Sequence, residues 1–137
     1  MSERRGHCLC GAVKIKATDV GNDVGACHCK MCRRWGGGPF MEIECGKNVV
    51  LEGEENIAVY NSSDWAQRGF CRQCGTHLFY RFKETGHHGV PIGVFDDDPD
   101  LSFEHQVFID EKPSFYEFSN TTKDMTGREL IAKYTQT

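Results

Sequence analysis

Seven of the eight cysteines in this 137-residue chain stand in three short clusters, and thiols so placed point to metal chemistry. Cys8 and Cys10 form a CxC, Cys27, Cys29 and Cys32 a CxCxxC, and Cys71 and Cys74 a CxxC, while Cys45 stands apart. Such spacing lets one turn of backbone present its thiolates to Zn2+, which takes four ligands in a tetrahedron with Zn–S bonds of about 2.3 Å. Seven thiols divide into four and three. Four close a structural site, whereas three leave a coordination position open, and an open position is where zinc chemistry happens. Disulfides are the competing reading. Knuckle spacing weighs against them, as does the lack of an apolar stretch behind the opening Met-Ser-Glu-Arg-Arg-Gly-His, so the expected compartment is reducing and cytoplasmic.

Cys8, Cys10, Cys71 and Cys74 make the best four-ligand set, because each pair is followed by a glycine, Gly11 or Gly75, that lets the backbone turn tightly around a metal. Zinc in such a site contributes an apparent binding energy of about 10–16 kcal/mol to folding. The two pairs are expected to staple two halves of a sheet together. Cys27, Cys29 and Cys32 make the second set, with His28, Cys45, His77 and His105 as candidates for a fourth ligand. His28 is a poor candidate, since both neighbours ligate and its side chain should point away. Cys45 reads as a small buried hydrophobe, and His77 and His105 lie on expected strands. If no protein group fills the position, a water or a substrate thiolate does, and the metal is only partly retained at rest.

Basic residues crowd these clusters. Lys30, Arg33, Arg34 and Arg72 lie within or beside them, although the chain carries a net charge of −4. The acidic balance argues against nucleic acid as a partner. Such a patch is either a solvated surface or an attraction for an anionic small molecule toward the metal. Gly36, Gly37 and Gly38 follow directly, and read equally as room for a ligand backbone or as a flexible turn before a strand. No Ser-His-Asp or paired-carboxylate arrangement is identifiable, and Asp96 to Asp98 reads as a turn. No run approaches the roughly 20 apolar residues that span a bilayer, so no membrane partner is expected.

The elements that must position these ligands are mostly strands, in one domain spanning 1–137 with a core over about 5–120 and an extension over 121–137. Strand signals mark 12–17, 40–45, 49–52, 57–60, 77–82, 90–95, 105–110 and 115–118, with period-two alternation in 12–17 and a less regular one in 40–45. The Gly53-Glu-Glu stretch reads as a hairpin turn between the third and fourth of these, and Pro91 places 90–95 near a sheet edge. Helices are predicted over 30–35 and 126–134, the second opening on a capping box of Thr126 and Glu129.

Three motifs in order carry a resemblance to a known family: Gly6-His-Cys-Leu-Cys-Gly-Ala-Val13, Cys27-His-Cys-Lys-Met-Cys-Arg-Arg34 and Gly69-Phe-Cys-Arg-Gln-Cys-Gly-Thr-His-Leu78. Together they resemble the glutathione-dependent formaldehyde-activating enzyme family, which includes the centromere protein V domain. The likeness runs on through 92–99 and 105–113. It implies an Mss4-like β-tent of antiparallel sheets. It implies a structural zinc on Cys8, Cys10, Cys71 and Cys74, and a catalytic zinc on Cys27, Cys29 and Cys32. The implied activity is that of a carbon–sulfur lyase, condensing formaldehyde with glutathione to S-hydroxymethylglutathione. The charges of Arg33 and Arg34 suit them to pair with the carboxylates of such a substrate. The late segment departs from the family: Phe115 stands where a Trp is common, and Ser119 to Met125 replaces the usual ending. The rival reading is a non-enzymatic zinc module that binds a partner or acts as a chaperone on the same fold.

Overall fold

The computed structural model describes residues 2–96 and 100–135. In chain order its elements are β1 (Ser2–His7), β2 (Lys14–Val20), β3 (Asp23–Cys27), α1 (Lys30–Gly36), β4 (Phe40–Gly46), β5 (Val49–Glu52), β6 (Ile57–Asn61), β7 (Ala66–Cys71), β8 (His77–Phe82), β9 (His88–Pro91), β10 (Ser102–Val107), β11 (Lys123–Met125) and α2 (Gly127–Thr135). The chain is mostly β, with two short helices, as the strand-rich patterning predicts. These elements form two compact units, each assembled from two separated segments.

The first unit draws on Met1–Asn22 and Glu42–Asp100. One sheet orders its strands β1-β2-β5, and a second runs β4-β9-β8-β7-β6, with antiparallel pairing throughout. Alternation decides which face is buried: in β2, Ile15 and Ala17 are buried while Lys14, Lys16 and Thr18 are not. Ile43, Leu78, Phe79 and Val90 complete the interior of the larger sheet.

The expected hairpin at Gly53 does not form. β5 pairs with β2 and β6 pairs with β7, so Gly53, at φ +85°, passes the chain from one sheet to the other through a 3-10 turn at Glu54–Asn56. Nor is Pro91 at an edge, since β9 lies between β4 and β8. The strand stops at Pro91, and Ile92–Val94 continue as a 3-10 turn. A proline is tolerated there because the ladder is ending. Asp96 sits in a bend, while residues 97–99 of the expected turn lie outside the described residues.

The second unit draws on Asp23–Met41 and Leu101–Thr137. Its strands are ordered β11-β10-β3, and both pairings are parallel. β3 has the buried apolar run that parallel strands tend to show, with Val24, Gly25 and Ala26 all buried. The predicted strand over 105–110 is displaced to 102–107, because Phe108 adopts a left-handed φ of +54° and turns the chain into a 3-10 segment at Ile109–Glu111. Residues 115–118 form no strand. Phe118 packs against Phe103 with centroids 4.9 Å apart and Tyr116 is half-buried, while Phe115 is exposed. The capping box of α2 forms as predicted: Glu129 N–H donates to Thr126 Oγ1 at 3.1 Å, and Thr126 N–H to Glu129 Oε1 at 2.9 Å.

Candidate metal centres and a basic cleft

Cys8, Cys10, Cys71 and Cys74 come together in the first unit with every Sγ within 4.8 Å of the others. The Cys8–Cys10 and Cys10–Cys71 Sγ separations are 3.6 and 3.8 Å. A tetrahedron with metal–sulfur bonds of about 2.3 Å has edges of about 3.8 Å, so the donor set fits a tetrahedral, thiolate-bound ion such as zinc. Each knuckle closes on its glycine: Gly11 N–H donates to Cys8 O at 3.0 Å and Gly75 N–H to Cys71 O at 2.8 Å, with φ of +82° and +80°. Leu9 N–H donates to Thr76 Oγ1 at 3.0 Å, tying one knuckle to the other. The Thr76 hydroxyl and backbone N–H hold the Cys74 thiol below its ordinary range, at about 5. The staple joins two sheets, not two halves of one, because Cys8 and Cys10 follow β1 and Cys71 ends β7.

Cys27, Cys29 and Cys32 gather in the second unit, also with every Sγ within 4.8 Å of the others. Local structure explains how. Cys27 ends β3, Cys29 caps α1, and Cys32 follows one turn later. The Cys29 sulfur accepts the Cys32 N–H at 3.3 Å, a role an N-cap oxygen usually fills. Hydrogen bonds from Cys27 and Cys32 push the Cys29 thiol down to about 2, while those with Cys29 and Cys32 push the Cys27 thiol up. The three sulfurs suit a soft metal ion, and among the described residues no fourth Cys, His, Asp or Glu joins the group.

The four candidates for that fourth position are engaged elsewhere. His28 is fully buried with its ring turned from the sulfurs: Nδ1 lies 2.8 Å from the Tyr116 hydroxyl and Nε2 lies 2.8 Å from Gln106 Oε1. Burial, aided by the Lys112 and Arg33 charges, lowers its pKa. Cys45 is buried in β4, in the other unit, and burial pushes its thiol up to about 12, as befits a small hydrophobe. His105 Nδ1 pairs with Glu104 at 2.7 Å, and its ring lies over Gly25 so closely that a Cβ there would overlap it. His77 lies on β8 of the first unit, where burial lowers its pKa.

Beside the triad, within the second unit, a cleft of about 620 Å3 opens. Lys30, Arg33 and Arg34 line it together with Gly37, Gly38, Pro113, Phe115 and Tyr116. Gly37 caps α1 in the left-handed region at φ +85° and returns its N–H to Arg33 O at 2.7 Å. The two arginines are held differently: Arg33 Nε donates to His28 O at 3.0 Å, whereas Arg34 is exposed. Arg72, the remaining basic residue of the expected patch, belongs to the first unit, where it donates to Ile57 O at 2.8 Å.

The residues that sequence reasoning misses lie behind the cleft. Gln106 Nε2 donates to Thr122 Oγ1 at 2.9 Å, and that hydroxyl donates to Asp124 Oδ1 at 2.6 Å. A carboxylate only accepts, which orients the Thr122 hydroxyl, and through it the Gln106 amide and the His28 Nε2–H. The loop carrying Tyr116 is held by Lys112, whose Nζ donates to Pro113 O at 2.9 Å and to Tyr116 O, and sits 4.8 Å from the Tyr116 ring centroid. No local pattern announces a relay whose members are so widely separated.

Residues 3–111 match the family described as glutathione-dependent formaldehyde-activating enzyme. Among curated relatives, an uncharacterized lyase of Schizosaccharomyces pombe is 35% identical over 132 residues, covering 96% of each chain. A Talaromyces marneffei protein, provisionally named a glutathione-dependent formaldehyde-activating enzyme, is 33% identical over 81 residues, covering 55% of this chain and 43% of that one. A crystal structure of a Rhodobacter sphaeroides protein superposes with a TM-score of 0.58 at 27% identity, covering 69% of this chain and 91% of that one.

Proposed function

The chain belongs to the glutathione-dependent formaldehyde-activating enzyme family, and from that premise we propose that it is a carbon–sulfur lyase joining an aldehyde, formaldehyde foremost, to a small anionic thiol such as glutathione. The observation that carries this reading is the thiol triad of Cys27, Cys29 and Cys32, without a fourth protein ligand among the described residues, beside a cleft lined by Lys30, Arg33 and Arg34.

In this reading Cys27, Cys29 and Cys32 hold a zinc ion, and Cys8, Cys10, Cys71 and Cys74 hold a second, structural one. Zinc at an open site supplies acidity to a bound thiol at neutral pH and Lewis acidity to a carbonyl oxygen. The rest is done by side chains. Lys30, Arg33 and Arg34 draw the carboxylates of the thiol into the cleft. Arg33, pinned through Nε, offers its two Nη groups as a fork that a carboxylate can accept in bidentate fashion. Gly37 and Gly38 leave room for the thiol's amide backbone. Carbon–sulfur bond formation then moves the carbonyl π pair onto oxygen, and the thiol's proton ends there.

Isothermal titration of glutathione into protein of measured zinc content tests the proposal. Binding that weakens with added salt supports it, since the cations are partly exposed. Absence of binding at millimolar glutathione with both sites loaded would turn the reading toward a zinc module without this chemistry.

A further inference from the structure

Tyr116 has a place in this cleft that the family likeness does not assign. It lies beyond the matched residues 3–111, as do Thr122 and Asp124. The remaining lining of the cleft is three cations, two glycines, a proline and a phenylalanine, which leaves Tyr116 as the one uncharged polar side chain among the described residues that line it. Its hydroxyl is 2.8 Å from Nδ1 of His28, and His28 is the residue between Cys27 and Cys29. It is therefore tied to the backbone segment that carries the reactive sulfurs. The Arg33 guanidinium lies close enough to bear on the hydroxyl electrostatically.

The tie is rigid. His28 is fully buried and Gln106 nearly so, and the chain His28–Gln106–Thr122–Asp124 holds the imidazole through bonds of 2.8, 2.9 and 2.6 Å. Lys112 clamps the loop from the other side through two carbonyls, of Pro113 and Tyr116. A hydroxyl fixed at both its ring and its oxygen is a preorganised contact: little is lost in ordering it when a ligand arrives.

Resting on the thiol–aldehyde reading, we propose that Tyr116 is a substrate-contacting residue whose hydroxyl bonds the oxygen carried by the aldehyde-derived carbon of the thiol adduct. The allocation of partners leads there. The adduct's sulfur belongs to the cysteine triad and its carboxylates to Lys30, Arg33 and Arg34. Its new oxygen sits on the carbon bonded to that sulfur, and Tyr116 is the neutral polar partner among the described residues lining the cleft.

Two unreactive thioethers of equal length test this: S-(2-hydroxyethyl)glutathione, which keeps an oxygen beyond the sulfur, and S-propylglutathione, which does not. Titration of wild-type protein with its metals in place should show the hydroxyl-bearing ligand binding roughly fivefold tighter, the scale of one neutral hydrogen bond. Tyr116→Phe should bring the two affinities together. Because the readout is a ratio within one preparation, partial loss of folded protein does not move it. A merely structural tyrosine would weaken both ligands alike and leave their ratio intact, which overturns the proposal. Equal binding of the two by wild type overturns it as well, while leaving the anionic-thiol cleft standing. Failure of wild type to bind either thioether or glutathione itself overturns both.

Discussion

Cys10 Sγ lies 3.8 Å from Cys71 Sγ across 61 residues of sequence. With Cys71 fully buried at the end of β7 and Cys10 in the knuckle after β1, a metal here closes a loop through two sheets of one compact unit. Cys71→Ser should therefore cost several kcal/mol and halve the zinc content, because it breaks a closed ligand set whose binding energy is folding energy. Cys29→Ser lies in the other unit and should lose zinc and activity while the tetrad keeps its metal. Thermal melts with elemental analysis of both variants check the division. Indistinguishable melting temperatures would show that the two sets do not differ in role.

How far the sequence reveals this arrangement depends on the range of the interaction. The knuckles are legible because ligand spacing and the glycines at 11 and 75 act within a few residues. The capping box of Thr126 and Glu129 is local too, and it forms as read. Strand partners are another matter. β5 and β6 look like a hairpin because only four residues separate the stretches read as strands, yet their partners, β2 and β7, are chosen by which apolar faces meet in the folded unit. β3 escapes pattern reading because Asp-Val-Gly-Ala-Cys is short and carries a glycine, whose place is explained only by the His105 ring lying over it. Tyr116 falls in a stretch, 115–118, that reads as a strand, and its bond to His28 spans 88 residues.

Arg33 and Arg34 are adjacent in sequence but not equivalent in the fold. Arg33 is half-buried and anchored to His28 O at 3.0 Å, while Arg34 is exposed. Charge-assisted bonds contribute about 1.5–3 kcal/mol when the donor is held, and much less when the side chain must be ordered in water. Arg33→Ala should weaken glutathione binding about tenfold or more, and Arg34→Ala by about threefold or less. Titration calorimetry of the two variants, repeated at low and high salt, checks the order. A larger loss for Arg34→Ala would relocate the carboxylate contact.

Mild chelation should separate the metals. A three-thiolate set binds less firmly than a closed set of four, so a moderate chelator should remove about half of the zinc, that of Cys27, Cys29 and Cys32, with the fold retained. Stepwise zinc release followed beside circular dichroism tests this. Simultaneous loss of all zinc and of structure would show that the tetrad is the weaker site.

Glu42 provides a test by pH that is independent of the metals. Its carboxylate packs over Gly89 on the neighbouring strand β9, so closely that a Cβ at residue 89 would overlap it. Burial, reinforced by the Glu44 charge and opposed by Arg68, pushes the Glu42 pKa up from 4.5 to about 8. A carboxyl raised on folding binds its proton more tightly in the native state than in the unfolded one. Its contribution is therefore fully present below pH 4.5 and is lost as the pH rises through about 8. Glu42→Gln keeps the shape of the protonated side chain without the acidity. It should match the wild type near pH 5 and exceed its stability by about 1–3 kcal/mol at pH 9, after allowance for partial solvent access. Urea melts of both proteins at the two pH values decide the matter: parallel stability curves would mean that Glu42 is ionised in the native protein at neutral pH.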